Sequence, residues 1–348
     1  MKGVILAGGR GTRLKPYTLS IPKPMVTIMN KPILEYNIDL MKENGISSIM
    51  VTTCYKAEKI SEYFGDGSKL GVSITYLQEE LPLGTAGGVF GSIDFLDEAF
   101  VVISGDAFTS LSLQEAIQFH QQNDSLLTIV GKELDVPQGY GICKTDSEGR
   151  LTEFIEKPQS GQIDSNLVNT GIYIVEPELL RKYRFEGETD FSRDVFPLML
   201  AEQEDIFVFR TKDYWRDIGS PEEYKLAREE FLTGQMKDIK ERVGAGIMDE
   251  FVTVRDGFEN TLKYLTRMMV ACPDHQKQKV ITKLVEEQRD EPVLNLDGIL
   301  ISHSMGGWTR IVDQPSNGFI IYSKAERRNL AKEFAGYYFN KIKQWQKV

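Results

Sequence analysis

Lys2-Gly3-Val4-Ile5-Leu6-Ala7-Gly8-Gly9-Arg10-Gly11-Thr12-Arg13-Leu14 opens the chain. The apolar run Val4 to Ala7 is broken by Gly8, Gly9 and Arg10, far short of a secretory core or a membrane span. It reads as a buried strand, residues 2–7, emptying into a loop. Small residues after a strand let backbone N–H groups close around phosphate oxygens. A dinucleotide fingerprint would need a third glycine where Leu14 stands, and a Walker loop would need Gly-Lys-Ser/Thr, so neither fits. A glycine cluster alone is also what a tight turn requires. Cations shift the balance: Arg10, Arg13, Lys15 and Lys23 crowd the first loop of a chain whose formal net charge is −10. Pro22 and Pro24 stiffen the backbone around Lys23 and lower the entropy lost when that lysine is held.

Outward from this loop, strand and helix patterns alternate. Pro32 opens an amphipathic helix through Ile33, Leu34, Tyr36, Ile38, Leu40 and Met41 that stops at Gly45. Ile49 to Thr53 reads as a strand, Glu58 to Phe64 as a helix, Val72 to Leu77 as a strand, and Phe100 to Ser104 as a strand ending at Gly105-Asp106. Such alternation predicts parallel βαβ units, whose ligand crevice lies beyond the carboxyl ends of the strands. Gly8 to Arg13 and Asp106 are therefore expected to face one cleft. From Leu126 to Phe209 shorter β-rich segments, including Leu151 to Glu156 and Gly171 to Val175, suit a substrate lid on the same sheet. A strand at Tyr214 to Asp217 leads into a helix from Pro221. The polar run Gln235 to Gly246 reads as a linker, Glu250 to Met269 as a helix, and Lys277 to Val348 as a compact segment with a helix, short strands and a terminal helix. No internal repeat is visible.

Composition excludes several functions. At 348 residues, with 41% hydrophobic and 26% charged residues, the chain has ordinary globular make-up. An acidic surface repels nucleic acid and anionic membrane, so neither is an expected partner. Cys54, Cys143 and Cys272 lack metal-ligand spacing, and their odd number favours reduced thiols and a cytoplasmic location. His120, His275 and His303 lie outside every motif and read as solvated or structural.

The opening stretch together with Pro22-Lys23-Pro24 resembles the signature of the sugar-phosphate nucleotidyltransferases, the pyrophosphorylases that make nucleotide sugars. The resemblance continues in order through Leu83-Gly84-Thr85-Ala86-Gly87, Gly105-Asp106, Glu156-Lys157-Pro158, Asn169-Thr170-Gly171 and Tyr214-Trp215-Arg216-Asp217-Ile218-Gly219. It implies a Rossmann-like α/β/α nucleotidyltransferase domain with a mostly parallel sheet over residues 1–234. By the same resemblance Leu6, Ala7, Gly8, Gly9, Gly11, Thr12, Arg13, Gln78, Gly84 and Thr85 bind the nucleotide. Gly141, Glu156, Lys157, Asn169 and Thr170 hold the sugar phosphate. Arg13, Lys23, Asp106 and Asp217 are the catalytic set, with Asp106 and Asp217 holding Mg²⁺. Gln78 and Glu79 fall near the nucleobase, and Glu80 competes with Glu79 for that place. Each has a plainer reading as well: Asp after glycine is commonly a turn former or helix cap, and Lys157 between Glu156 and Pro158 a surface ion pair.

Residues 235–270 are expected to be linker and helix, and 271–348 a small α+β domain. That last domain resembles the final domain of the phosphohexomutases through Ala271-Cys272-Pro273, the helix Lys277 to Glu287, Asp297-Gly298-Ile299, Gly307-Trp308, Pro315-Ser316-Asn317 and a terminal helix from Lys324. The phosphate-gripping arginine, threonine and glutamate of active mutases are missing around Pro315-Ser316-Asn317, so the domain is read as a packing or homo-oligomerisation unit. The two resemblances together imply, as the leading activity, transfer of GMP from GTP to mannose-1-phosphate, giving GDP-sugar and pyrophosphate. Glucose-1-phosphate with UTP or dTTP, and a non-catalytic nucleotide-sugar-binding regulatory subunit, stay open.

Overall fold

The computed structural model describes residues 1–15, 17–28, 31–159, 164–185, 187–233, 264–286, 293–295, 298–303, 307–314 and 318–346. The chain forms two compact units. The first comprises Met1–Arg10, Pro22–Met25 and Pro32–Ala227; the second comprises Gly11–Ile21, Val26–Lys31 and Arg228–Val348.

The first unit is built on β1 (Lys2–Ala7), whose Val4 and Ile5 are fully buried. A strand covered on both faces needs a near-continuous apolar run, and residues 3–7 supply one. The short strands β2 (Thr27–Ile28), in the second unit, and β3 (Lys31–Pro32) precede helix α1 (Ile33–Glu43), which buries Leu34, Ile38 and Met41 on one face. It ends where Gly45 takes a left-handed φ of 76° and its N–H bonds the Lys42 carbonyl at 3.0 Å. Then follow β4 (Ser48–Thr53), α2 (Ala57–Phe64), β5 (Ser73–Gln78), the short α3 (Gly87–Phe90) and β6 (Phe100–Ser104). In the sheet β6, β1, β4 and β5 lie side by side and parallel, with Leu6 opposite both Ser104 and Thr52. The carboxyl ends of β1 and β6 are therefore level, and Gly8 and Asp106 emerge together.

Beyond β6 the unit continues with β7 (Ala107–Thr109), α4 (Leu113–Gln122), β8 (Leu127–Glu133), β9 (Ile142–Thr145), β10 (Leu151–Ile155) and β11 (Leu167–Val175). Helix α5 (Pro177–Lys182), α6 (Phe196–Ala201), β12 (Ile206–Thr211), β13 (Trp215–Asp217) and α7 (Pro221–Thr233) follow. Strand β11 runs antiparallel beside β6 and carries β8, β9 and β10 on the same nine-stranded sheet, as the β-rich text between Leu126 and Phe209 leads one to expect. An aromatic cluster fastens this half: Tyr173 meets Phe191 at 4.7 Å between centroids, and Phe154 meets Phe196 at 5.1 Å. Each such buried ring removes enough apolar surface to contribute roughly 2–3 kcal/mol. His120 is a buried structural residue here, its ring 2.8 Å from Thr128 Oγ1 and 3.2 Å from Glu176.

The second unit holds a five-stranded antiparallel sheet in the order β14 (Tyr264–Val270), β18 (Gly318–Ala325), β17 (Trp308–Gln314), β16 (Gly298–Ser302), β15 (Val293–Asn295). Helices α8 (Asp274–Glu286) and α9 (Arg328–Gln346) complete it, a small α+β arrangement. Two expectations are corrected. Tyr264 to Met269 is strand rather than helix, because Tyr264 to Val270 pairs residue by residue with Ala325 to Phe319. Lys324 likewise ends β18, where Phe319 to Ile321 are buried and pair with β17, and the terminal helix starts at Arg328. Residues 11–21 belong to this unit: Tyr17 and Leu19 pack on its core of Val280, Phe319, Tyr338 and Trp345, and Gln278 Nε2 donates to the Lys15 carbonyl at 3.0 Å. The linker 235–246, the helical reading over 250–263, Glu287, Asp297 and Pro315-Ser316-Asn317 lie outside the described residues. Among the described residues no helix is long and apolar enough to cross a membrane.

Candidate active site

A cavity of about 300 Å³ opens at the carboxyl ends of β1, β4 and β6. Its wall combines Leu6, Gly8 and Gly9 with Lys23, Gly84, Thr85 and Asp106, residues expected from sequence. Arg10, Thr52, Glu79, Pro82 and Ser104 also line it. Ala7 lies behind the wall, buried, its N–H 3.4 Å from Thr52 Oγ1.

Asp106 and Asp217 are brought together by a ladder outside the main sheet. Strand β13 pairs antiparallel with β7, setting Asp217 opposite Ala107, and the Ile218 N–H donates to the Asp106 carbonyl at 3.0 Å. Gly105 ties the same corner to β1, its N–H donating to the Leu6 carbonyl at 2.9 Å. A Cβ at Gly105 would sit 2.7 Å from that oxygen, so only glycine allows β6 to turn this close. Lys23 Nζ forms an ion pair with Asp106 and lies 3.4 Å from Asp217 Oδ1, while Ser104 Oγ donates to Asp106.

The two carboxylates titrate apart. Burial and the neighbouring charge of Asp106 push Asp217 up to about 6, against the pull of Lys23. Asp106 suffers burial too, but the Lys23 ammonium and the Ser104 hydroxyl outweigh it and hold its carboxyl below the usual range. Like charges this close do not ionise independently without a cation between them. Among the described residues no three His, Cys, Asp or Glu side chains gather as a complete metal cage. Two hard carboxylates beside a phosphate-sized cavity nevertheless match an ion that takes its remaining ligands from water and phosphate oxygens.

Gln78 and Glu79 differ in burial. Gln78 is exposed at the end of β5, whereas Glu79 is 8% exposed, lines the cavity, and accepts the Leu83 N–H at 3.1 Å. Burial raises its pKa, partly opposed by that hydrogen bond. Glu80 is exposed.

Of the residues expected to hold the sugar phosphate, Asn169 N–H donates to the Gly141 carbonyl at 2.8 Å, and its Nδ2 reaches Tyr173 Oη at 3.0 Å and Ser192 Oγ at 3.5 Å. Glu156 and Lys157 form an ion pair at 3.2 Å, with Lys157 in the left-handed region at φ 46° and well exposed. Thr170 is buried, its hydroxyl donating to the Val130 carbonyl at 2.7 Å and its carbonyl accepting Trp215 Nε1 at 3.1 Å. Gly11, Thr12 and Arg13 lie in the second unit, where Gly11 is left-handed at φ 59° and Thr12 and Arg13 are exposed.

A family model described as Nucleotidyl transferase matches residues 2–234. The chain is similar to a UTP–glucose-1-phosphate uridylyltransferase of Synechocystis sp., 35% identical over 69% of this chain and 66% of that protein. It is similar also to a mannose-1-phosphate guanylyltransferase catalytic subunit beta of Drosophila pseudoobscura pseudoobscura, 33% identical over 74% of this chain and 71% of that one. Thus the chain spans about two thirds of the length of the curated relatives it matches. The solved structure of HddC from Yersinia pseudotuberculosis is 32% identical, covers 66% of this chain and 99% of its own, and superposes with a TM-score of 0.58. The ordered motifs, the cleft at the strand ends and these matches agree, and the chain belongs to the nucleotidyl transferase family, among the sugar-1-phosphate nucleotidyltransferases.

Proposed function

We propose that the chain transfers GMP from GTP to mannose-1-phosphate, releasing pyrophosphate and forming GDP-mannose. The observation that carries nucleotidyl transfer is the cluster of Lys23, Asp106 and Asp217 at the rim of the glycine-lined cavity. Mg²⁺ held by Asp106 and Asp217 would supply charge neutralisation on the phosphates. Gly8 and Gly9 leave the backbone open to phosphate oxygens, and Lys23, fixed by two acidic neighbours, presents a point charge to them. Arg13 is assigned the same electrostatic role on the departing pyrophosphate. A sugar-1-phosphate with a second pKa near ~6 arrives mostly as a dianion, so no side-chain base is required for in-line attack. Glu156, Lys157 and Asn169, with the backbone at Gly141, are assigned to the sugar phosphate.

Glu79 supports guanine. Guanine offers adjacent N1–H and N2–H donors, which suit a carboxylate, whereas uracil and thymine flank their one N–H with two carbonyl oxygens that a carboxylate repels. The second reading, glucose-1-phosphate with UTP, is favoured by the similarity to the Synechocystis sp. protein. Free thiols at Cys54, Cys143 and Cys272 suit a reducing cytoplasm. Incubation with Mg²⁺, each NTP and a panel of sugar-1-phosphates, with pyrophosphate as readout, tests both readings. The greatest release is expected with GTP and mannose-1-phosphate and is abolished in Asp217→Asn; no release with any pair overturns catalysis.

A further inference from the structure

Thr85 lines the cavity, yet its hydroxyl is already engaged on the side away from β1. Its Oγ1 donates to Asp190 Oδ2 at 2.8 Å and accepts the Phe191 N–H at 3.0 Å, across 105 positions of sequence. The neighbouring backbone is stitched to the same turn. Thr189 N–H donates to the Leu83 carbonyl at 2.9 Å, and the Thr189 carbonyl accepts Ala86 N–H at 2.9 Å and Gly87 N–H at 3.2 Å. Gly84 has a φ of 77°, and a Cβ there would overlap the Thr189 carbonyl oxygen. The loop that walls the nucleotide cavity is thus formed against residues 189–191.

The other end of the turn faces the sugar side. Asp190 Oδ1 accepts the Ser192 N–H at 2.9 Å, and Ser192 Oγ lies 3.5 Å from Asn169 Nδ2. Asn169 in turn holds the Gly171 N–H at 3.0 Å and the Gly141 carbonyl at 2.8 Å. Asp190 thus holds Thr85 with one oxygen and caps the start of residues 191–195 with the other, and Ser192 at that start reaches Asn169, so a side-chain path runs Thr85–Asp190–Ser192–Asn169.

We propose that the Thr189–Ser192 turn is a mechanical bridge between the nucleotide loop and the sugar-side strand, with Asp190 its positioning residue, so that nucleoside triphosphate and sugar-1-phosphate bind with positive coupling. The proposal rests on the assignment of the two substrates above. Coupling of this kind is reciprocal, so each substrate tightens the other by the same factor.

Equilibrium titration of a non-hydrolysable GTP analogue with Mg²⁺, in the absence and presence of saturating mannose-1-phosphate, measures the factor directly. The native protein is expected to bind the analogue at least about fivefold more tightly when the sugar phosphate is present. In Asp190→Asn and in Thr85→Val the factor collapses to within about twofold, Thr85→Ser retains it, and the double variant is no lower than either single one. A factor near one in the native protein with every NTP and sugar-1-phosphate pair, or a factor unchanged in both variants, overturns the bridge. Hydrogen exchange supplies a readout that does not depend on turnover or on one variant folding well. Saturating nucleotide alone is expected to slow exchange over residues 189–192 and 167–171 in the native protein; protection confined to 78–88 overturns the proposal. The same titration across other NTPs and sugar-1-phosphates separates the two readings: coupling with a different pair refutes GTP and mannose while supporting the bridge.

Discussion

Replacing Asp217 by asparagine in the metal-free protein tests whether the carboxylate pair is built to be completed by a cation. Burial, then the charge of Asp106, raises the Asp217 pKa from 3.8 to about 6. At ~1.36 kcal/mol per unit, about two units correspond to a ceiling of ~3 kcal/mol. The side chain retains 29% exposure, so solvent screening lowers this to about 1–2 kcal/mol. The sign follows from the raised value: the folded state binds the proton more tightly than the unfolded chain. The stabilising contribution is fully present below pH ~4 and is lost as pH rises through about 6. An asparagine amide never ionises, so the Asp217→Asn variant is expected to match the native melting temperature near pH ~3.5 and to exceed it at pH ~7.5. For a unit of this size the gain is about 3–6 °C. Calorimetric melts across that range, in chelator, check the difference curve, and added Mg²⁺ is expected to raise only the native protein. A difference that stays flat with pH, or a variant less stable than the native protein at the alkaline end without metal, refutes the reasoning.

Lys23→Met leaves Asp106 and Asp217 facing each other without their ammonium; a loss of about 2 kcal/mol in chemical denaturation and at least a ~100-fold drop in kcat are expected. Thr170→Val orphans the buried Val130 carbonyl and is expected to cost about 1–2 kcal/mol of stability while leaving the KM for sugar-1-phosphate within about twofold; a large KM rise would show that Thr170 contacts sugar after all. Glu79→Gln is expected to erode preference for GTP over UTP by about tenfold in kcat/KM, measured by competing the two nucleotides. Gly105→Ala drives a methyl against the Leu6 carbonyl, and kcat is expected to fall by at least ~10-fold with KM for GTP little changed.

What was legible in the sequence is what local chemistry dictates. The buried run of β1, the glycines after it and the short apolar β6 ending at Asp106 each announce themselves within a few residues. The pairing of Asp217 with Asp106 does not, because β7 and β13 have three residues each and meet only through a long-range ladder. Asp190 carries only the local mark of a helix cap, and its bond to Thr85 joins residues far apart in sequence. Glu79 follows the end of β5 and is turned into the cavity wall, its N–H on the Thr53 carbonyl and its carboxylate on the Leu83 N–H, contacts that no local pattern reveals. Tyr264 to Val270 failed for a related reason. Its Met and Leu content suits a helix, and only the partner strand β18 shows that a period of two governs it.

The site divides its work between two kinds of support. The charges proposed to meet phosphate rest on ladders: Gly105 to Leu6, Ile218 to Asp106, and β13 to β7, all backbone hydrogen bonds whose lengths no side-chain rotamer sets. The groups proposed to meet base and sugar are tied by side-chain hydrogen bonds to loops, with Glu79 bonded to Leu83 and Asn169, on β11, reaching Ser192. Rigid backbone is suited to groups that must meet charge developing in the transition state, where displacement by a fraction of an ångström is felt in kcat. Loops tied by side-chain hydrogen bonds are suited to selecting base and sugar, because they can be retuned without moving the charges. This division gives a physical reason why relatives that retain one nucleotidyl transferase framework carry names with different bases and sugars. On the proposed reading the ladder preserves the reaction, and Glu79, the Leu83–Gly87 loop and the Thr189–Ser192 turn are where selectivity for the two substrates would change independently of it.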